Sequence, residues 1–341
     1  MMLESIWFFL WGLLWAVYFM TDGFDLGIGS LLPFLGKTEE DKRIMVNAMG
    51  PLWDGNQVWL LSAGGVTFAA FPRVYAVMFS SLYTPLMLLL FALILRGISF
   101  EFRGKVDSPG WRALWDATLV IGSFLPALLL GVAFANIFKG LPLDAQGILQ
   151  GNLLTLLNPY GLLGGILFVL LFLVHGAIWL AIKSDGALRG RARRTASLLW
   201  PVLAVAAVAF LVASWFVTPL YANYLRMPLL WVLPLLAVAG LVLTRVFLAA
   251  GSDWQAWFAS AAAILGATWF GVAGLYPTLL PSSLDPANSL TAFNAASSPL
   301  TLKIMLGVAL CMVPIVIAYQ AWVYVTFRAP IAFDKKGEPA Y

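Results

Sequence analysis

The chain has 341 residues, 62% of them hydrophobic and 11% charged, with a formal net charge of +4. Soluble domains carry roughly 25% charged residues, and a soluble core of this length could not hide so much apolar surface. The basic residues lie between long apolar runs, so the positive charge is no sign of nucleic-acid binding, and an all-α, polytopic membrane protein is expected.

A bilayer crossing takes about 20 apolar residues at 1.5 Å rise each. Nine transmembrane helices are expected on that basis, at about 6–31, 52–71, 74–99, 113–138, 160–182, 197–219, 228–249, 254–276 and 302–327, forming a single transmembrane domain over 1–341. The first reads as a retained span and not as a cleaved signal, because only Glu4 precedes it and two aspartates interrupt it. With nine spans, sixteen of the 20 Lys and Arg fall on one side, against Arg73, Lys139, Arg226 and Lys303 on the other. The positive-inside rule then places the N-terminus outside and the C-terminus inside.

Span 1 carries Asp22-Gly23-Phe24-Asp25-Leu26-Gly27 in its inner half, with Asp25 on the order of 10 Å from the inner end. A carboxylate at the centre of a membrane helix costs about 2.5–3.5 kcal/mol on insertion scales, so it usually faces protein or water and carries a task. A desolvated carboxylate can take and release a proton near neutral pH, which makes proton movement from the inner face the leading candidate. Asp22 could instead cap a kink at Gly23.

Span 2 opens with Gly50-Pro51-Leu52-Trp53-Asp54-Gly55-Asn56-Gln57. Asp54 is a second proton-pathway candidate near the inner face, although a position in the first helical turn would also suit it as a partner of free N–H groups. Asn56 and Gln57 can hold relay waters, and Gly23, Gly27, Gly55, Gly64 and Gly65 allow close helix approach. Arg96 and Glu101, near the inner end of span 3, read as interfacial residues.

Three lesser polar candidates complete the set: Trp53, Asp116 and His175. Asp116 lies four residues after Arg112, so an i,i+4 pair or a first-turn carboxylate is the plainer reading. His175, the one histidine, lies inside span 5 and reads as a hydrogen-bonded interior residue before a ligand or proton group. One histidine is too few for several haems held through paired axial ligands, so redox cofactors would sit in another subunit. No Cys/His cluster has metal-ligand spacing and no phosphate-binding glycine loop occurs. Cys311 reads as a small core residue. The longer outer loops, 139–158 and 277–301, are open between a structured cap and an interfacial segment, and 333–341 reads as a solvated tail.

Several segments, in order, carry a resemblance: TDGFDLGIG at 21–29, DGNQVWLL at 54–61, SAGGVTFAA at 62–70, Trp115-Asp116, Gly122-Ser123-Phe124, LNPYGLL at 157–163, Pro281-Ser282-Ser283 and SLT at 289–291. The chain resembles subunit II of the cytochrome bd quinol oxidases, terminal oxidases that reduce oxygen to water with electrons from quinol. The resemblance covers essentially the whole chain. It implies a bacterial cytoplasmic (inner) membrane protein that pairs with a larger subunit I as a heterodimer, with small accessory subunits and membrane lipid as further partners and no nucleic acid. Haem b, haem d and the quinol site would lie mainly in subunit I, with no cofactor bound by this chain alone and no catalysis by it alone. This chain would support assembly and contribute a cytoplasmic proton route, with Asp25 and Asp54 at family positions associated with it. A proton-coupled transporter is the alternative, although no paired broken helices appear in corresponding halves. A pure scaffold would leave the deep acids unexplained.

Overall fold

The computed structural model describes residues 2–333 and 339–340. The expected solvated tail therefore falls mostly outside the described residues.

Among the described residues, 8 helices are long and apolar enough to cross a membrane: α1 (Met2–Leu35), α5 (Tyr83–Phe102), α6 (Pro109–Lys139), α8 (Pro159–Lys183), α9 (Gly186–Val217), a helical run Pro228–Ala250 whose α-helical part is α11 (Val232–Ala250), α12 (Asp253–Leu275) and α13 (Pro299–Thr326). The expected second span is present as α3 (Trp53–Ala70), 18 residues long, but Asp54, Asn56 and Gln57 dilute its apolar character. It is therefore not among the 8 helices long and apolar enough to cross a membrane.

The expected third span is broken. α4 (Pro72–Ser81) ends at Leu82 and α5 begins at Tyr83. Pro85 supplies a physical reason, since it has no N–H and its ring crowds the carbonyl four residues back, at Ser81. Short helices α2 (Glu39–Met49), α7 (Leu153–Leu156) and α10 (Tyr221–Arg226) fill connections between the long ones.

α8 is the most enclosed helix, with 78% of its most apolar window buried, and α1, α6 and α12 pack around it. Gly27 of α1 and Gly176 of α8 make the closest approach possible: a Cβ on Gly27 would lie 1.9 Å from the carbonyl oxygen of Phe172. Gly23 likewise faces the Phe172 ring. Gly64 and Gly65, expected to allow such contacts, have nothing within 4 Å because that face of α3 meets no other described residue. α13 is the least enclosed helix, with 6% of its window buried and Leu302 its one buried residue. Cys311 is accordingly exposed, against the expectation of a core position, because α13 presents it away from the bundle.

At one end, the 277–301 segment is a structured cap. Strands β1 (Thr278–Leu280) and β2 (Leu290–Thr291) pair antiparallel, and across to the 139–158 connection Leu141 donates its N–H to the Pro281 carbonyl and accepts from the Ser283 N–H. At the other end, α2 starts from a Thr38–Asp41 capping box, and Asp41 reaches Arg191 of α9 at 2.6 Å. Glu39, Arg103, Asp116 and Lys42 join α2, the end of α5 and the start of α6 in one ionic group.

Candidate functional site

Asp22 and Asp25 lie three residues apart and so share one face of α1. Both are fully buried. α5 brings Arg96 to that face, itself 1% exposed, with a fork that donates from Nη1 to Asp22 Oδ2 at 2.9 Å and from Nη2 to Asp22 Oδ1 at 2.6 Å. Bidentate guanidinium–carboxylate pairs of this kind are short, strong and geometrically specific. The same Nη2 lies 3.8 Å from Asp25 Oδ2.

α3 closes the site from a third side. Asn56 donates through Nδ2 to Asp25 Oδ2 at 2.8 Å and to the Thr21 carbonyl at 3.0 Å, while Gln57 donates to Asp22 Oδ2 at 2.7 Å. α13 completes it: Tyr324 donates its hydroxyl to Asn56 Oδ1 at 3.0 Å. One turn earlier, Gln320 accepts from Trp59 Nε1 at 2.7 Å and donates to the Gly55 carbonyl at 2.6 Å. Tyr18, one turn before Asp22, is also fully buried.

Two carboxylates thus share one cation in a site closed to solvent. Asp22 takes the guanidinium fork; Asp25 Oδ1 is buried with no hydrogen-bond partner among the described residues. An uncompensated buried charge costs several kcal/mol in effective terms, and the group becomes electroneutral when a single proton resides on it. Chemically, the cluster can hold and pass one proton.

Two expectations are corrected here. Arg96 is not interfacial: Gly122 of α6, lacking a side chain, lets the backbones of α5 and α6 meet at that turn, where a Cβ would lie 2.7 Å from Arg96 Cβ. The arginine is thereby covered and directed inward. Asp22 caps no kink, because α1 runs helically through Gly23 and the Asp22 carboxylate is committed to Arg96.

The other candidates stand outside the cluster. Asp54 is exposed, in the first turn of α3, two residues before Asn56, and forms no ion pair among the described residues. Trp53 stacks on Phe100 with ring centres 5.0 Å apart. Asp116 does not pair with Arg112. It holds Lys42 at 2.8 Å and Arg103 Nε at 2.6 Å, one on each oxygen, while Arg112 turns to Asp107 at 2.7 Å. Nor is Asp116 in the first turn, since α6 begins at Pro109.

His175 is fully buried and stacked on Trp257. Its Nε2 faces the Met20 carbonyl at 3.0 Å, and its Nδ1 and the Ser260 hydroxyl are hydrogen-bonded at 2.6 Å. It ties α1, α8 and α12 together as a hydrogen-bonded interior residue. With both ring nitrogens engaged, His175 does not fit the role of an axial haem ligand. Among the described residues no group of His, Cys, Asp and Glu could hold a metal ion.

Sequence reasoning missed Arg96, Tyr324 and Gln320 as members of the site. For Arg96 a signal was present, because it lies inside an apolar run where a charge is itself a mark of function. Tyr324 and Gln320 carry no comparable mark in a helix whose aromatic residues also suit a membrane interface.

The family described as cytochrome bd terminal oxidase subunit II matches residues 3–327. The chain is 40% identical over 355 residues to a probable cytochrome oxidase subunit 2 of Haemophilus influenzae, covering 94% of this chain and 93% of that one. It is 37% identical over 330 residues to cytochrome bd ubiquinol oxidase subunit 2 of Bacillus subtilis, covering 97% of each. It is 38% identical over 358 residues to cytochrome bd-I ubiquinol oxidase subunit 2 of Escherichia coli, covering 94% and 93%. In fold it is similar to a chain of the bd oxidase from Geobacillus thermodenitrificans, with a TM-score of 0.76 at 17% identity over 96% of this chain and 99% of that one.

Proposed function

Because the chain belongs to the cytochrome bd terminal oxidase subunit II family, we propose that it supports the haem-bearing subunit of a quinol:oxygen oxidoreductase and supplies a proton-uptake route from the cytoplasm. It is a subunit of a terminal quinol oxidase and a multi-pass membrane protein. Family membership leaves the transporter alternative without support.

The observation that carries the proton route is the closed group of Asp22, Asp25 and Arg96, one proton short of neutrality. Reduction of oxygen to water consumes a proton for each electron delivered, and a buried reaction centre needs a polar path through the protein. In this reading Asp54, which is exposed at the start of α3, serves as the entry station of that path, and Asp25, which is buried, as its inner one. Asn56 and Gln57 orient the buried carboxylates by donating to them.

In this reading α3 is the ninth crossing, the N-terminus lies outside and the C-terminus inside the bacterial cytoplasmic membrane, and residues 1–341 form one transmembrane unit. The distribution of Lys and Arg supports that orientation, with the buried Arg96 set aside as a member of the site. Haem b, haem d and the quinol site belong to the larger partner of the heterodimer, with lipid and small accessory subunits around it.

The test is quinol-driven oxygen consumption by Asp25→Asn and Asp54→Asn complexes of unchanged haem content. Loss of a positioned proton carrier is expected to lower turnover by roughly 10²-fold at Asp25, and clearly at Asp54. Normal turnover in both variants would overturn the route and leave a scaffold.

A further inference from the structure

Asn56 stands between the buried acid of α1 and the helix that is least enclosed in this chain. Its amide has two nearly isosteric orientations, differing by exchange of oxygen and nitrogen. The Thr21 carbonyl and Asp25 Oδ2 lie at 3.0 and 2.8 Å from Nδ2, so both N–H groups are spent on α1. Oδ1 is left pointing away from α1, inside a residue with no exposed surface, and its partner is the hydroxyl of Tyr324 at 3.0 Å. Without that hydroxyl a buried acceptor would go unpaired, which is unfavourable. The reversed amide would set oxygen against the Thr21 carbonyl.

Tyr324 is itself held in place. Its ring packs among Phe24, Trp179 and Trp257, with ring centres 5.8 to 6.5 Å away. Three residues beyond it the chain is pinned to α8: Lys183, buried at the end of that helix, donates to the carbonyls of Phe327 and Ala329. The Lys183 carbonyl in turn accepts from the Ile331 N–H at 2.9 Å. Since α13 buries little else, these contacts and those of Gln320 fix its register against α3.

We infer that Tyr324 is a positioning residue of the proton route, locking Asn56 as a donor to Asp25 Oδ2 and so reserving Oδ1 as the oxygen that takes and gives up the proton. This rests on the proton-route reading of Asp25. The geometry suits both protonation states. In the carboxylate, Oδ2 accepts from Asn56 beside the Arg96 guanidinium; in the acid, Oδ2 is the carbonyl oxygen and still accepts, while Oδ1 carries the hydrogen. No hydrogen bond among Thr21, Asn56 and Tyr324 has to break as the proton comes and goes. Besides Tyr324, Asp22 and Arg96 are the ionisable groups that interact with Asp25, and they are committed to each other.

The test is infrared difference spectroscopy of the purified two-subunit complex, following the carboxylic C=O stretching band of Asp25, identified by its loss in Asp25→Asn. Tyr324→Phe keeps the ring and its packing. It is expected to displace that band and lower kcat for oxygen consumption with KM for quinol and haem content unchanged. Site-specific 4-aminophenylalanine at 324, which restores a donor on the same ring, is expected to return the band toward its wild-type position. A wild-type complex with no Asp25 band would overturn the proton-route reading itself. A clear Asp25 band left in place by Tyr324→Phe would overturn the role of Tyr324 and leave the route standing. Should Tyr324→Phe lose haem, fluorotyrosine at 324 keeps ring and hydroxyl and strengthens the donor; an undisplaced band there overturns the role equally.

Discussion

Arg96 and Asp22, 74 residues apart in the chain, meet in a bidentate ion pair of 2.6 and 2.9 Å with both side chains closed to solvent. The pair fastens α5 to α1 and consumes the one positive charge available to two buried carboxylates. That leaves Asp25 Oδ1 buried with no hydrogen-bond partner among the described residues.

Breaking this pair from one side strands a buried charge. Arg96→Leu is expected to destabilise the subunit by about 3–5 kcal/mol and to lower the haem content recovered with it. The double variant Arg96→Leu with Asp22→Leu removes both charges and is expected to recover much of the assembly. Haem content and thermal unfolding of the two complexes check this; equal losses in both would contradict it.

Gly27 and Gly64 make opposite predictions for one methyl group. Gly27→Ala drives a Cβ into the Phe172 carbonyl, so α1 and α8 must separate, at a cost of about 1–3 kcal/mol for overpacking. Gly64→Ala meets nothing within 4 Å in this chain. Comparing the yields of the subunit expressed in membranes separates the two, and a stable Gly27→Ala protein would show that the close approach is dispensable.

Lys183→Met removes the donors from the carbonyls of Phe327 and Ala329 while keeping an apolar stem of similar length. The end of α13 is expected to loosen, read as faster amide hydrogen exchange over 320–331 with exchange in α8 unchanged. Unaltered exchange there would mean that other contacts hold this end of α13.

Asp41 links stability to pH. Burial opposes its ionisation, but the backbone N–H of Thr38 and the Arg191 guanidinium outweigh it and hold the carboxyl below its ordinary value. A depressed value contributes stability above the unfolded-state pKa of Asp, lost as pH falls through the folded-state value. Asp41→Asn is therefore expected to lower the unfolding midpoint at neutral pH and to converge with the wild type in acid. A constant gap at every pH would contradict the linkage.

Much of this was legible in the residues, and what was not has a common physical cause. Apolar run lengths located most of the long helices to within a few residues, and the acids at 22 and 25 marked the site, but α9 begins at Gly186, well before the expected 197, because its basic first turns extend beyond the apolar run. The break at Leu82 was missed because hydropathy is blind to the N–H that Pro85 lacks. Arg96, Asp116, Cys311 and Gly64 were misplaced for one reason: run length reports that a helix exists, not which of its faces a neighbour covers. Gly122 decides the burial of Arg96 from another helix, Lys42 and Arg103 outcompete the local Arg112 for Asp116, and the sparse packing of α13 exposes Cys311. Asp54 and Asp25, both read from sequence as proton-pathway candidates near the inner face, separate into an exposed and a buried residue because α1 over 21–32, unlike the start of α3, is buried at every position.

The most direct test of the central claim is the rate of proton uptake during a single turnover of the fully reduced Asp25→Asn complex with oxygen, followed by a pH indicator alongside the haem spectrum. The expected result is that oxygen binding is unchanged while proton uptake, and the electron transfer tied to it, slows by roughly 10²-fold. Uptake at the wild-type rate in a complex of normal haem content would contradict a proton route through Asp25.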